Sequence, residues 1–376
     1  MTTVWLVLLA VGGGFFAFGR LRTVGSVTPA AEVADRRRHD LTIVIPARNE
    51  EASLGNLLSD LESARPEGSR VVVVDDHSTD RTHEIASSFG FVDVVRAPEL
   101  PPGWCGKPWA CHNGSLHATS GRLMFLDADV RIDPGALEVV LAEHDLHGGL
   151  VSVQPWHTVI RPYEHLSALF NVIGVMGAGA GRATPTGVFG PVILTSVTDY
   201  RVCGGHESVR SAVVEDLALC RRYQDDGRAV AVLGGRPSIR FRMYPVGLRQ
   251  LMEGWTKNFA TGAVSTNFRW LVIIFAWVTA LLSITVQLSQ QALGAAEVPI
   301  WVTAVAYVVA VAQLLVLFRR VGSFSPLTAL LFPVLVVFFF AIFVSSVYST
   351  AFRRSVSWRG REIAVGWHRP PVESGS

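Results

Sequence analysis

The sequence predicts an α/β fold, a mostly parallel sheet with helices on both faces, joined to transmembrane helices at both ends of the chain. Three observations lead to this prediction. Short apolar runs alternate with helix-like segments in the middle of the chain, long uncharged apolar runs lie near both ends, and acidic clusters follow several of the short runs. Strands that alternate with helices are typical of a parallel sheet.

Composition separates a membrane part from a soluble part. Of the 376 residues, 49% are hydrophobic and 17% are charged, whereas a soluble domain carries about 25% charged residues. The net charge of +2 is too small to indicate a nucleic-acid partner. The cysteines lack the C-x-x-C pairs of a zinc site, and free thiols fit a cytoplasmic domain. They are Cys105, Cys111, Cys203 and Cys220.

Residues 1–20 predict an N-terminal transmembrane anchor. Residues 1–19 contain no charged side chain, and a bilayer crossing needs roughly 17–25 residues. A cleaved signal peptide has positive charge before its apolar core, whereas Arg20 and Arg22 follow it here. Because positive residues stay in the cytoplasm, we expect an uncleaved anchor with its N-terminus outside and the bulk of the chain in the cytoplasm.

The pattern of residues 40–265 predicts the α/β domain. Apolar, β-rich runs predict four strands, at Leu41–Ile45, Val71–Val74, 92–98 and Leu123–Leu126. The four consecutive valines indicate a strand that is buried on both faces. The stretches "NEEASLGNLLSDL", "STDRTHEIASSF" and "GKPWACHNGSLHAT" separate these strands and have helical spacing or helix-start residues.

Three polar clusters follow three of these strands directly. They are "PARNE", "DDHSTD" and "DAD". In parallel sheets, ligands bind beyond the carboxyl ends of the strands. Because these ends lie at one edge of the sheet, we expect the three clusters to form one site.

Asp127 and Asp129 are the acidic pair at the end of the fourth strand. Two carboxylates so close repel each other, and each raises the pKa of the other. One reading is a loop capped by acids. The other is a divalent cation, Mg²⁺ or Mn²⁺, that both carboxylates approach together with substrate phosphates.

Glu215 and Asp216 begin a later predicted helix, in "VVEDLAL". Acidic residues are favourable at a helix start because of the helix dipole, which is a sufficient structural reason for them. The functional alternative is a general base, which must reach the hydroxyl that it deprotonates.

Four motifs, "TIVIPARNE", "VVVVDDHSTD", "FLDAD" and "VVEDLAL", resemble in order and spacing the family 2 glycosyltransferases of the GT-A fold, the nucleotide-diphospho-sugar transferase fold. The resemblance covers about residues 40–265 and implies that they form a GT-A catalytic domain. Within that family, "LPPGWCGKPWACHNG", "GPVILTSVTDYRVCGGHESVR", "GWTKNFATGA" and "SVSWRGREI" most resemble membrane-bound carotenoid (staphyloxanthin-type) and hopanoid-associated glycosyltransferases.

This resemblance implies roles for individual residues. Asp127 and Asp129 would form the D-x-D motif that holds the metal and the nucleotide sugar, and Asp216, beside Glu215, would be the base. His206 and Trp255 would lie on the acceptor side. The residues implied to bind the nucleotide sugar are Pro46, Arg48, Glu50, Asp75, Asp76, Lys107, Asp127 and Lys257.

The resemblance implies an inverting, metal-dependent transfer of a sugar from a nucleotide-diphosphate sugar, with UDP-glucose as the implied donor. The acceptor would be a membrane lipid such as a carotenoid or hopanoid. Processive synthases carry Q-x-x-R-W where this chain has Trp255, Lys257 and Asn258, which argues against polymer synthesis.

Two other functions stay open at this point. One is sugar transfer to polyprenyl phosphate, and the other is a non-catalytic membrane subunit that binds nucleotide sugars. The basic cluster that a phosphate acceptor would need could come from Arg353, Arg354, Arg359 and Arg361. A channel or transporter is disfavoured because the apolar segments carry almost no ionisable residues.

Residues 270–352 predict a membrane domain of about three helices, before a basic tail at residues 353–376. The candidate spans are Leu271–Leu293, Ile300–Phe318 and Leu327–Ala351, and Pro333 could kink the last one. We therefore expect a multi-pass protein of the cell membrane. Three full spans would place the arginine-rich tail outside, against the positive-inside rule. Either one segment, the first or the third, does not cross, or the tail is external.

Overall fold

A seven-stranded sheet forms the centre of the computed structural model, which describes residues 11–26, 40–118, 121–212, 214–262, 268–348, 355–358 and 361–364. The strand order is β3-β2-β1-β4-β8-β6-β9. Only β8 runs antiparallel to its neighbours, β4 and β6, within this sheet. The predicted mostly parallel sheet is thus confirmed. The strands are β1 Leu41–Ala47, β2 Arg70–Asp75, β3 Val92–Arg96, β4 Arg122–Leu126, β5 Val130–Ile132, β6 Leu150–Gln154, β7 Trp156–His157, β8 Val192–Ser196, β9 Val230–Gly234, β10 Ile239–Phe241, β11 Ser355–Trp358 and β12 Arg361–Ala364.

Helices cover both faces of this sheet and continue into an apolar C-terminal bundle. Short 3₁₀ helices occur at Val24–Ser26, Pro162–Ser167 and Gly205–Val209. The α-helices are α1 Leu54–Ala64, α2 Thr82–Ser87, α3 Gly106–Ser115, α4 Ala136–His147, α5 Ala168–Ala178, α6 Val197–Val202, α7 Glu215–Asp225, α8 Leu248–Gly262, α9 Phe268–Ala292, α10 Ile300–Val321, α11 Pro326–Leu330 and α12 Phe332–Tyr348.

The strands are apolar on both faces because helices pack against both. Ile43 and Val73 face the cluster that contains the leucines of α1. Val44 and Phe125 face the opposite cluster, which also contains Leu314 of the C-terminal bundle. One apolar core therefore continues from the sheet into the bundle.

Two helices, α9 and α10, are long and apolar enough to cross a membrane, each with a mean hydropathy of 2.3. They correspond to the first two predicted C-terminal spans. The third predicted segment is not one helix, because the chain turns at Leu331 between α11 and α12. Pro333 does not kink a helix; it stands in the first turn of α12, where its missing N–H needs no partner.

The N-terminal segment is helical over residues 11–18 and packs against the bundle. Gln313 of α10 donates from Nε2 to the carbonyl of Val11 at 2.7 Å and accepts from Trp277 of α9 at 2.8 Å. Gly14 allows this approach, because a Cβ there would lie 2.8 Å from the Gln313 amide nitrogen. Residues 1–10 of the predicted anchor lie outside the described residues.

Candidate active site

The first two polar clusters meet at the carboxyl ends of β1 and β2, which pair in parallel. Arg48, just beyond β1, donates from Nη1 to Oδ2 of Asp76 at 3.1 Å. Asp75 and Asp76 are both buried. Asp75 accepts from the backbone N–H of Ser78 at 2.9 Å. The expectation that polar clusters after parallel strands lie close together is therefore met for these two clusters.

The loops after these strands are hydrogen-bonded to each other. Asn49 has a φ of 53°, a left-handed conformation that asparagine tolerates better than most residues. Its side-chain oxygen accepts from the N–H of Thr79 at 2.8 Å. The N–H of Glu50 donates to the hydroxyl of Thr82 at 2.7 Å. Pro46 lies within β1, opposite Val74. These contacts fix the shape of the predicted nucleotide pocket.

The third cluster follows β4. The N–H of Asp127 donates to the carbonyl of Pro191 at 2.9 Å, and its side chain is partly exposed. Asp129 is exposed, two residues further on. The two carboxylates of the predicted D-x-D motif thus stand at the same sheet edge as the clusters after β1 and β2.

Lys107, on the first turn of α3, connects this cluster to α7. Its ammonium lies 2.7 Å from Oδ1 of Asp127 and 3.3 Å from Oε1 of Glu215. Burial alone would lower the pKa of Lys107, but the carboxylates of Asp127 and Glu215 outweigh it and hold that pKa well above its usual value. Lys107 is therefore a permanent cation between the two acidic groups.

Asp216 lies beside Lys107 at the start of α7. Its Oδ2 accepts from the N–H of Gly190 at 2.9 Å, and its Oδ1 accepts from the N–H of Leu217 at 2.8 Å. Burial, and then the neighbouring charge of Glu215, raise the pKa of Asp216 to about 7, although Lys107 and the two N–H groups act in the opposite direction. A carboxylate with this pKa can accept a proton near neutral pH.

The segment Phe189–Pro191 holds the two acidic sides together. The buried hydroxyl of Ser152 on β6 donates to the carbonyl of Phe189 and accepts from its N–H, both at 2.8 Å. The next N–H, of Gly190, reaches Asp216, and the carbonyl of Pro191 reaches Asp127. Sequence reasoning missed Ser152 and Gly190, because nothing local in the sequence indicates their long-range contacts.

The two predicted acceptor-side residues are both interior. His206 is 2% exposed, and its Nδ1 is 2.9 Å from the hydroxyl of Tyr200. Burial, and then the charge of Lys107, lower the pKa of His206 to about 3, so it is neutral. Trp255 is 7% exposed and donates from Nε1 to the Ser167 hydroxyl at 3.0 Å. A contact of either residue with an acceptor stays a prediction.

Lys257 lies on α8, and its side chain lies outside the described part of the chain. Its predicted role at the leaving diphosphate therefore also stays a prediction. The sheet edge itself brings together most of the other predicted residues. Asp225 and Asp226 are exposed at the far end of α7, as solvated loop residues would be.

The acidic residues fit a hard divalent cation that is held partly by substrate. Within the described ranges, no cluster of three or more His, Cys, Asp or Glu side chains could enclose a metal alone. Asp127 and Asp129 supply oxygen ligands at one edge, and Mg²⁺ is commonly bound through one or two carboxylates plus substrate phosphates. Two carboxylates at one sheet edge are therefore compatible with a cation that substrate phosphates help to hold.

Comparisons with known proteins identify the family of this chain. The model of the family described as "Glycosyl transferase family 2" matches residues 42–165. The chain is 36% identical over 338 residues to 4,4'-diaponeurosporenoate glycosyltransferase of Staphylococcus aureus (strain USA300), covering 86% of this chain and 88% of that protein. The protein of the same name from strain MRSA252 matches to the same extent.

The fold also matches a solved structure. A mannosyltransferase from Pyrobaculum calidifontis, in complex with GDP-Man and Mn²⁺, aligns with 92% of this chain and 99% of its own chain. The TM-score is 0.52 and the identity is 16%, so this likeness concerns the fold.

Proposed function

The chain belongs to glycosyl transferase family 2 and has the GT-A fold, and from this premise we propose that it transfers a sugar from a nucleotide-diphosphate sugar to a carotenoid-type lipid in the membrane. The observation that carries the proposal is the meeting of two acidic groups at one sheet edge. Asp127, at the end of β4, and Glu215-Asp216, at the start of α7, are joined there by Lys107 and Gly190.

The donor would occupy the edge formed by β1, β2 and β4. Arg48, Asp75 and Asp76 would line the nucleoside side of the pocket, and Pro46 and Glu50 would shape it. Asp127 and Asp129 would hold Mg²⁺ or Mn²⁺, which supplies positive charge to the departing diphosphate. Lys107 lies next to Asp127 and would add a fixed positive charge to the same region.

The acceptor oxygen would attack the anomeric carbon in line with the departing diphosphate. A bond from the acceptor oxygen to the anomeric carbon forms while the bond from that carbon to the diphosphate oxygen breaks, so the configuration inverts. If the acceptor is a hydroxyl, its proton goes to Asp216, whose pKa of about 7 suits a general base. Glu215 helps to keep that pKa high.

The acceptor class is supported by the relative named 4,4'-diaponeurosporenoate glycosyltransferase and by the apolar helices of this chain. The name of that acceptor denotes a carboxylate on an apolar molecule. Such a molecule resides in a membrane, and a catalytic domain that shares a core with membrane-type helices can reach it there. We propose UDP-glucose as the donor, because the sequence motifs resemble enzymes that use it.

The test is sugar transfer by the detergent-purified full-length protein. UDP-glucose, UDP-galactose and GDP-mannose, each labelled in the sugar, are offered with a carotenoid carboxylic acid, a carotenoid alcohol, a hopanoid or a polyprenyl phosphate. Labelled carotenoid from UDP-glucose supports the proposal. Labelled polyprenyl phosphate alone, or donor binding without transfer to any lipid, would replace it with one of the two alternatives.

A further inference from the structure

The third apolar segment, residues 322–348, contains two helices, α11 and α12, and both are shorter than α9 and α10. Neither is long enough to cross a bilayer. α11 has 5 residues and α12 has 17 residues. At a rise of 1.5 Å per residue, α12 is about 26 Å long, whereas the hydrocarbon core is about 30 Å thick. The contacts of this segment indicate its path.

The segment starts beside the catalytic domain. The N–H of Ser323 donates to the carbonyl of His157 on β7 at 2.8 Å, and its hydroxyl accepts from the N–H of Val159 at 2.7 Å. Further along, the hydroxyl of Thr328 lies 2.7 Å from Nδ1 of His165, in the 3₁₀ helix that leads into α5, and α5 itself packs against α10 and α12. The end of α10 and the start of this segment are thus on the catalytic side.

The turn between α11 and α12 lies deep along α10. The hydroxyl of Tyr307 donates to the carbonyl of Leu330 at 2.6 Å, and its ring stacks on Phe332 at a centroid distance of 5.5 Å. Tyr307 is about 21 Å from the catalytic-side end of α10 at 1.5 Å per residue. Non-helical backbone is tolerated at membrane depth only where its polar groups have partners, and Tyr307 provides one.

The segment then returns to the side from which it came. The hydroxyl of Ser346, near the end of α12, donates to the carbonyl of Thr256 on α8 at 3.1 Å. The adjacent Trp255 is bonded to Ser167 of the catalytic domain. Beyond α12, the backbone of β11 lies beside α8. Both ends of the segment therefore contact the same side of the protein.

We propose that α11 and α12 form a re-entrant hairpin in the leaflet next to the catalytic domain. After the catalytic domain the chain then crosses the membrane twice, through α9 and α10, and residues 353–376 lie on the catalytic side. The outward side chains of α12, such as Val334, Val337 and Val344, are exposed and apolar, and they face the acyl chains of that leaflet.

This topology removes a conflict in the charge distribution. Arg319 and Arg320 at the end of α10 are on the catalytic side, and the four arginines of residues 353–361 join them there. All these cations then share one membrane face, as the positive-inside rule requires. The inference rests on contacts outside the acidic site and does not depend on the proposed function.

The experiment is cysteine labelling in intact cells with a membrane-impermeant maleimide. The background carries Cys105→Ser, because the other three thiols are buried. Single cysteines are placed by Ser374→Cys in the tail, Ala295→Cys in the loop between α9 and α10, and Glu67→Cys on the catalytic domain. A Tm of each detergent-purified variant equal to that of the parent protein confirms that it folds.

The re-entrant hairpin predicts that Ser374→Cys behaves as Glu67→Cys does, whereas Ala295→Cys has the opposite accessibility. Because the arginine-rich face is cytoplasmic, Ala295→Cys is labelled in intact cells, and Ser374→Cys and Glu67→Cys are labelled only after permeabilisation. Equal labelling of Ser374→Cys and Ala295→Cys, with Glu67→Cys different, would show that the third segment crosses the membrane. Labelling of all three sites from one side would overturn the two crossings as well.

Discussion

The ammonium of Lys107 lies 2.7 Å from Oδ1 of Asp127, and this ion pair joins the start of helix α3 to the end of strand β4. The same ammonium is 3.3 Å from Oε1 of Glu215. One cation thus connects the carboxylate expected at the metal and diphosphate with the carboxylates expected at the acceptor. Replacement of Lys107 should therefore affect both the diphosphate side and the acceptor side of the site.

Lys107→Met is expected to lower transfer and to move the pH dependence. Lys107 is one of the groups that lower the pKa of Asp216. Without it, the midpoint of the rise of kcat with pH shifts upward. The measurement is kcat with a hydroxyl acceptor between about pH 5.5 and 9, in steps of about half a pH unit. Arg222→Met, at an exposed position on α7, is the matched control. If kcat falls but the midpoint of its pH dependence does not change, Lys107 acts on the donor and not on Asp216.

Asp216→Asn is expected to reduce kcat for a hydroxyl acceptor by about 10²–10⁴-fold, the usual contribution of a general base. Binding of the nucleotide sugar should change little, because the donor is held at β1, β2 and β4. Asp225→Asn, exposed on the same helix, is the control. A carboxylate acceptor is already ionised and needs no base. If Asp216→Asn has the same kcat on a hydroxyl acceptor as the wild type, Asp216 is not the general base.

The raised pKa of Asp216 also predicts a pH dependence of stability. An acid whose pKa is higher in the folded state than in the unfolded chain binds more protons when folded, so its contribution to the free energy of unfolding falls as pH rises from about 4 to about 7. Asp216→Asn removes this effect. Its gain in Tm over the wild type should be larger at pH 8 than at pH 5. Equal Tm differences at both pH values would contradict the raised pKa.

Gly190→Ala is expected to impair transfer while leaving the fold intact. A Cβ at this position would lie 3.2 Å from Nζ of Lys107 and 3.3 Å from Oδ2 of Asp216, so both groups must give by a few tenths of an ångström. We expect a fall in kcat with a small change in Tm. Gly90→Ala, where a Cβ meets nothing within 4 Å, is the control. Full activity of Gly190→Ala would show that this spacing is not critical.

The central part of the fold could be predicted from the sequence because parallel strands carry strong local signals. The apolar runs that became β1, β2, β3 and β4 each end in a turn, and the rule for strand ends placed Asp75, Asp127 and Arg48 at one edge. The antiparallel β8 was not predicted. Its partners β4 and β6 lie far from it in sequence, and its short apolar run carries no signal for strand direction.

The parts of the site that escaped prediction depend on long-range packing. Ser152 and Gly190 matter through contacts with residues more than twenty positions away. His206 and Trp255 carry side chains that can form several kinds of contact. Both side chains are buried, and the periodicity of the sequence did not indicate this burial. In the third apolar segment, composition alone could not distinguish a spanning helix from two helices with a turn at Leu331.

The most direct test of the account is transfer of labelled sugar to a carotenoid acceptor with Mn²⁺, with and without chelator, by wild type and by Asp129→Asn. Asp226→Asn, an exposed carboxylate outside the site, serves as the control. The account predicts metal-dependent labelling of the lipid by the wild type and the control, and loss of labelling in Asp129→Asn with an unchanged Tm. Chelator-resistant transfer, or full activity of Asp129→Asn, would contradict the metal–diphosphate site at the end of β4.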